Sequence, residues 1–502
     1  MEMGSAATPI TTFVTAFLDL REDRSKDKSF ERCFDLFDQL ASSGIPLHLF
    51  LSRSFEAVYK PKPNVVVEWL ELEDLATYKE VVAAEAALGA PMALPIQRTP
   101  HHDTRNFMIL MNAKAEFVAR AAAHERWADV PQFAWIDFSI CHVFRDPAAS
   151  LAYLRLLAQT RLRAPVLAFP GCWYRGAHFD NLFGGINWRF CGGFFIGDRA
   201  SVENFGALYR REFPLVLANI KKLTWEVNMW SYFECVAGGA WRPHWFAGDH
   251  NDSIVRVPQT LFHVVASLTT IPPRLAAGDC RKAIDSLLDQ VDRVYLAVPL
   301  AYDRFPGEVE LPPWLADPEG PYAEKVVVVR PSQDSGPATK YLGGLGSIPA
   351  GSWIFFCDDD QEYAGGLVTQ MLGRVGQLAV YQNHCEHIRL KTSGGLVHGY
   401  VGNLAPVAVL DGLTGHPLPP AARFVDDQWM SIYCHKRSVP VLPSGVEEYR
   451  HIFAVLDGWH EKLGVASLSE MGNRDSKVAE IAAAFGVRFA ARGVIEDDAA
   501  QN

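Results

Sequence analysis

The sequence predicts an α/β fold made of two tandem Rossmann-like domains, each built on a mostly parallel sheet. Three observations carry this expectation. The run Trp353-Ile354-Phe355-Phe356 is apolar and stops, after Cys357, at Asp358-Asp359-Asp360, which reads as a strand buried on both faces in the middle of a parallel sheet. Phe133-Ala134-Trp135-Ile136 stops at Asp137 in a similar way. A chain of 502 residues is also too long for one ordinary core. The boundary is expected near residues 255–260, giving domains over 1–256 and 257–493, with a disordered acidic tail over 494–502.

Composition narrows the class of partner. Hydrophobic residues make up 49% and charged residues 21%, a globular balance. The formal net charge of −11 offers no basic stripe for a nucleic acid. The nine cysteines are odd in number and scattered, with no C-x-x-C pair, and read as free thiols in a reducing cytoplasm. No window is apolar enough to span a membrane, and the opening residues lack a basic region followed by an apolar stretch. A soluble, cytoplasmic protein is therefore expected. Exposed members among the 13 Trp and 30 Phe leave room for a peripheral membrane contact or for stacking on sugars, although most aromatic residues are core.

In the first half, Thr12 to Leu20 reads as a strand, Phe30 to Leu40 as a helix, and Leu47 to Leu51 and Val65 to Trp69 as further strands. Asn106 to Ala123 reads as one helix that carries Lys114, a residue type that on a helix is usually only a solvated charge. After the strand ending at Asp137 come Ser139, where a second acid might stand, and His142. Gly192-Gly193 interrupt the apolar run Trp188 to Gly197, and glycines inside such a run mark a bulge or a close approach. A helix over about 201–221 precedes Glu226 and Trp230 in an aromatic helix. Gly248-Asp249-His250-Asn251-Asp252 closes the half with oxygen and imidazole groups.

The pattern then restarts. Phe262 to Leu268 is a strand, and Thr269-Thr270-Ile271-Pro272-Pro273-Arg274 a loop set by its prolines. Lys282 to Val291 is a helix, and Val294 to Val298 and Val326 to Val329 are strands. Asp334-Ser335-Gly336-Pro337-Ala338-Thr339-Lys340 is a turn opening a helix, where free N–H groups and a lysine suit a phosphate. Beyond Asp358-Asp359-Asp360 lie the glycines Gly394-Gly395, then Asp426, Asp427 and Trp429 at a helix start. The order strand-acid, glycine pair, acid-tryptophan thus occurs twice at unequal spacing.

Acid clusters at strand ends are often solvated turns. Here the ligand crevice of an open α/β sheet lies beyond the carboxyl ends of its strands, and three adjacent carboxylates call for a hard divalent cation with oxygen ligands. A cation bridging two phosphates, and a separate helix-borne acid able to deprotonate a hydroxyl, describe nucleotide-sugar chemistry. The glycine pairs, with Trp230 and Trp429, would wall the sugar or the acceptor.

Residues 262–435 resemble a family A glycosyltransferase domain, through the 269–274 loop, the 334–340 turn and the Asp-x-Asp motif Asp358-Asp359-Asp360. The resemblance implies GT-A-like domains. It implies that Thr269, Arg274, Asp334, Lys340 and Asp358 hold the nucleotide sugar, that Asp358 and Asp360 ligate Mn2+ or Mg2+, and that Asp427, with Asp426 beside it, is the catalytic base. Residues 12–255 resemble the bacterial HtrL/YibB family through Val14-Thr15-Ala16-Phe17, Met111-Asn112-Ala113-Lys114, Trp135-Ile136-Asp137, Trp188 to Gly193, and Glu226 with Trp230. That implies Thr15, Lys114 and Asp137 at the donor, Glu226 at the catalytic position, and Asp137 with His250 as metal ligands. The missing second acid at Ser139 departs from the pattern.

The reading expected from these residues is a bifunctional glycosyltransferase using UDP- or GDP-type donors and a glycan acceptor. The alternative confines catalysis to the second half and leaves the first as an acceptor-binding or structural module. A metal-free glycosidase pair of carboxylates and a non-catalytic glycan-binding module are the readings from other classes.

Overall fold

The computed structural model describes residues 9–20, 22, 29–236, 241–383, 396–446, 452–454, 473–490 and 494–498. The chain divides into two compact units, Met1–Leu261 and Phe262–Asn502.

Unit 1 is built on a seven-stranded sheet. Its strands are β1 (Thr11–Phe17), β2 (Leu47–Leu51), β3 (Val65–Trp69), β4 (Gln132–Ile136), β5 (Leu167–Gly171), β6 (Phe194–Asp198) and β7 (His244–Ala247), in the order β3-β2-β1-β4-β6-β5-β7. The first four run parallel. β6 is antiparallel to both β4 and β5, and β7 is parallel to β5. Strands β1, β2 and β4 are apolar and buried almost throughout, as burial on both faces requires.

Unit 2 repeats this plan. Its main sheet contains β8 (Val264–Thr269), β9 (Arg293–Ala297), β10 (Val326–Val329), β11 (Trp353–Phe356), β12 (Val380–Gln382), β13 (Asn403–Pro406) and β14 (Val441–Pro443). The order is β10-β9-β8-β11-β13-β12-β14, which is the order of unit 1 with seven added to each number. The directions agree as well: β10, β9, β8 and β11 are parallel, β13 is antiparallel to β11 and β12, and β14 is parallel to β12. Every side chain of β11 is buried. Both sheets are mixed and mostly parallel, the predicted α/β class.

Four local expectations need correction. The prolines of the 269–274 segment do not keep it a loop: Pro272-Pro273-Arg274 open the helix Pro272–Ala277, because proline at the first helical positions gives up no intrahelical hydrogen bond. The helix expected over 106–123 is two helices, Arg105–Asn112 and Lys114–Ala123. The break at Ala113, with φ −80 and ψ −3, involves no Gly or Pro, so no residue type announced it. Gly192-Gly193 do not interrupt a strand but form the loop that enters β6. In the tail expected to be disordered, Ile495–Asp497 is a strand antiparallel to Val487–Phe489. Asp497 also pairs with Lys436 at 2.5 Å and His435 at 3.4 Å, which ties it to the last turn of the helix Asp426–Lys436.

Candidate functional site

In each unit a buried lysine joins the acid after the central strand to an acid at the start of a helix. In unit 1 the helix break at Ala113 makes Lys114 the first residue of its helix. Its side chain is 2% exposed. The ammonium lies 3.0 Å from Asp137 Oδ1, just beyond β4. It donates to Glu226 Oε1 at 2.8 Å, the first residue of the helix Glu226–Val236, and to the Gly192 carbonyl at 2.9 Å. These acceptors match the three N–H donors of an ammonium. Trp135 Nε1 donates to the same Asp137 oxygen at 2.8 Å. A Cβ on Gly192 would run into the Glu226 carboxylate, with Lys114 Nζ 3.3 Å away, so any side chain there must displace that carboxylate.

Unit 2 builds the same joint. Lys340 sits in the short helix Thr339–Leu342 that follows the turn Gly336–Ala338, held against β8 by Ser267 Oγ donating to the Lys340 carbonyl at 2.7 Å. Its side chain is also 2% exposed. Nζ donates to Asp358 Oδ1 at 2.6 Å and lies 2.9 Å from Asp426 Oδ2. Asp427 Oδ1 accepts from the Gly399 N–H at 2.7 Å. A Cβ on Gly399 would strike Lys340 Nζ, with Asp427 Oδ1 3.0 Å away. Gly399 therefore plays the part of Gly192, each entering the antiparallel strand of its unit. Gly394 and Gly395, read as the second glycine pair, lie outside the described residues.

The two centres differ in charge. Unit 2 adds Arg274, bonded to Asp359 and, at 3.2 Å, to Asp360 Oδ2. Among the described residues, five carboxylates (358, 359, 360, 426, 427) there face Lys340 and Arg274, and Arg474 also acts on Asp427. Unit 1 sets Asp137 and Glu226 against Lys114 alone. The carboxyls of unit 2 register the crowding. Burial, opposed by Arg274 and reinforced by Asp360, pushes Asp359 up to about 6. Burial, opposed by Lys340 and reinforced by Asp427, pushes Asp426 up to about 6. Asp360 and Asp427 also shift upward, with burial the leading cause. Both lysines lie above the usual range, because the carboxylates outweigh the burial that disfavours their charge.

Solvent reaches one face of each centre. The side chains of Asp137, Asp358 and Asp360 are 35%, 32% and 26% exposed; the lysines, Glu226 and Asp426 are buried, and Asp427 is partly exposed. In unit 1 a cavity of about 420 Å3 is lined by Asp19, Phe30, Phe34, Asp38, Phe55 and Lys60 among others. Phe34 packs edge-on against Phe138, beside Asp137, at 5.3 Å.

Several expected site residues have other places. Trp230 and Trp429 are fully buried and cannot wall a sugar: Trp230 packs on Phe169 and Phe195, and Trp429 Nε1 donates to the Pro417 carbonyl. Thr15 is buried inside β1. Thr269 Oγ1 donates to the Ala297 carbonyl at 2.8 Å, and Asp334 caps its own turn through the Gly336 and Asp303 N–H groups. Arg274 braces the acids, and Lys114, its three donors used, braces as well, where a free phosphate ligand was expected. His250 is exposed with its ring 5.5 Å from that of His142. Among the described residues no three His, Cys, Asp or Glu side chains are grouped to hold a metal. The residue pattern alone did not reveal Gly399, the lysine bridges or the cavity. The lysines had a signal: each precedes its strand-end acid in the same chain order.

No family model matches the chain, and no curated protein matches it, so the resemblance of residues 12–255 to HtrL/YibB proteins gains no support. Among solved structures the chain is similar to the galactosyltransferase LgtC in complex with donor and acceptor sugar analogs, at 12% identity and a TM-score of 0.27, covering 44% of this chain and 70% of that one.

Proposed function

We propose that the protein is a glycosyltransferase taking a UDP- or GDP-type sugar donor and a glycan acceptor, with a donor site in unit 2 that depends on Mn2+ or Mg2+. The observation that carries this reading is the charge of the unit 2 centre: among the described residues, five carboxylates against Lys340, Arg274 and Arg474 beyond the carboxyl end of the central strand. Asp358 and Asp360 both reach solvent. They do not make an all-protein cage, but Mg2+-type ions are held by one or two carboxylates plus substrate phosphates, and these residues fit that mode. When bound, the ion would neutralise charge on a leaving diphosphate. Asp426 or Asp427, placed by Lys340 and the Gly399 N–H, is the candidate base for an acceptor hydroxyl; a carboxyl that burial pushes above its ordinary range is suited to that role.

Unit 1 fits a metal less well, since it presents the single exposed carboxylate Asp137 where unit 2 presents Asp358 and Asp360 together, and its charge excess is a single unit. That observation favours a second reading for this half: an acceptor-binding module, or a transfer site working without metal. The 420 Å3 cavity, with phenylalanine faces and carboxylates, suits a sugar or nucleoside ring and its hydroxyls.

The test is a panel of nucleotide sugars scored for thermal stabilisation and nucleoside diphosphate release, with and without Mn2+. At least one donor should stabilise the chain only with metal. Equal stabilisation by every donor with a chelator present, or none under any condition, would end the reading. Asp137→Ala separates the two readings of unit 1: it removes one sugar addition if both units transfer, and leaves all transfer intact if only unit 2 does.

A further inference from the structure

Two of the cysteines lie together at the edge of the unit 1 centre. Cys172 and Cys191 have their sulfurs 3.9 Å apart, and both approach the Gly248 carbonyl, at 3.4 and 3.3 Å. Their backbones belong to facing segments: the Cys172 N–H donates to the Trp188 carbonyl and the Cys191 N–H to the Pro170 carbonyl. Cys172 is exposed and Cys191 buried. Cys191 immediately precedes Gly192, whose carbonyl receives the Lys114 ammonium. The loop is also held firmly, because Arg189 makes a two-pronged pair with Glu234 at 2.8 and 2.7 Å.

We propose that Cys172 and Cys191 are an oxidation site, a dithiol that closes to a disulfide under peroxide and couples the redox state of the protein to the Gly192–Lys114–Glu226 centre. The peroxide oxidises the exposed Cys172 thiol to a sulfenic acid and is itself reduced, releasing water. The Cys191 thiol then attacks that sulfur, the S–S bond forms, the S–O bond breaks, and a second water leaves with the thiol proton. Closure from 3.9 Å to a bond of about 2 Å asks for side-chain rotation and a small shift of the 191–192 backbone. Both thiols are held above the usual range, Cys172 by burial and then Asp249, and Cys191 by burial and then Cys172. Little thiolate is therefore present at neutral pH, so closure is slow and calls for an excess of peroxide.

The experiment treats the full chain with hydrogen peroxide, then counts free thiols and maps peptides without reduction. The expected result is loss of two thiols, one cross-linked peptide pair joining Cys172 to Cys191, and recovery of both thiols with a reductant. Cys172→Ser, an exposed and conservative change, should abolish the cross-link and leave Cys191 reduced. Cys33→Ser should change neither result. Sulfinic acid at Cys172 with no cross-link, a disulfide between two chains, or an undiminished loss of two thiols in Cys172→Ser would overturn the proposal.

Discussion

Lys340 shows what a single buried charge does here. It holds Asp358 and Asp426 from behind, and removing one member of a buried ion pair leaves an uncompensated charge, at a cost of about 3–5 kcal/mol. Lys340→Met should therefore lower stability by about 3 kcal/mol in urea unfolding at neutral pH; a change under about 1 kcal/mol would mean that the joint is only a surface pair. The carboxyls give a second test. Asp359 and Asp426 titrate near 6 in the folded chain against an ordinary 3.8, so between about pH 4 and 6 the folded state binds protons that the unfolded state releases. Stability from these two groups therefore falls as pH rises through that window. Asp426→Asn should flatten the slope of unfolding free energy against pH between 4 and 6, and an unchanged slope would show that Asp426 titrates normally.

At the scale of elements, the central strands were legible and the bracing around them was not. β11 announced itself because four consecutive apolar residues before a run of acids have few alternatives to a doubly buried strand. Phe355 is fully buried, and Phe355→Ala should cost about 3–5 kcal/mol, read from the denaturant midpoint. The helix break at Ala113 was hidden, since it rests on backbone geometry at an ordinary residue. The tryptophans misled for a different reason: residue type does not say whether a helix has a free face, and the helices Glu226–Val236 and Asp426–Lys436 are buried over most of their length, Trp230 and Trp429 included. Gly192 was noticed, but its reason lies in a contact distant in sequence. Gly192→Ala should push the Glu226 carboxylate off Lys114 and cost about 1–3 kcal/mol, whereas Gly44→Ala, with open space around its Cβ but a φ of +81, would be penalised for its backbone conformation.

At the scale of the molecule, the two units share one strand order and one lysine-bridged joint. The sequence hinted at this through the repeated strand-acid and helix-acid order, yet unequal loops hid the match of all seven strands. Arg274 and three further aspartates set unit 2 apart, and this difference in charge is what the proposed division between a metal-dependent site and a metal-free one rests on. The most direct measurement is a calorimetric titration of a nucleoside diphosphate in the presence of Mn2+ into the wild-type chain, Asp360→Asn and Asp137→Asn. The account predicts that Asp360→Asn loses the Mn2+-dependent binding and that Asp137→Asn keeps it. Binding unchanged in Asp360→Asn, or lost in Asp137→Asn alone, would contradict the assignment of the donor site to unit 2.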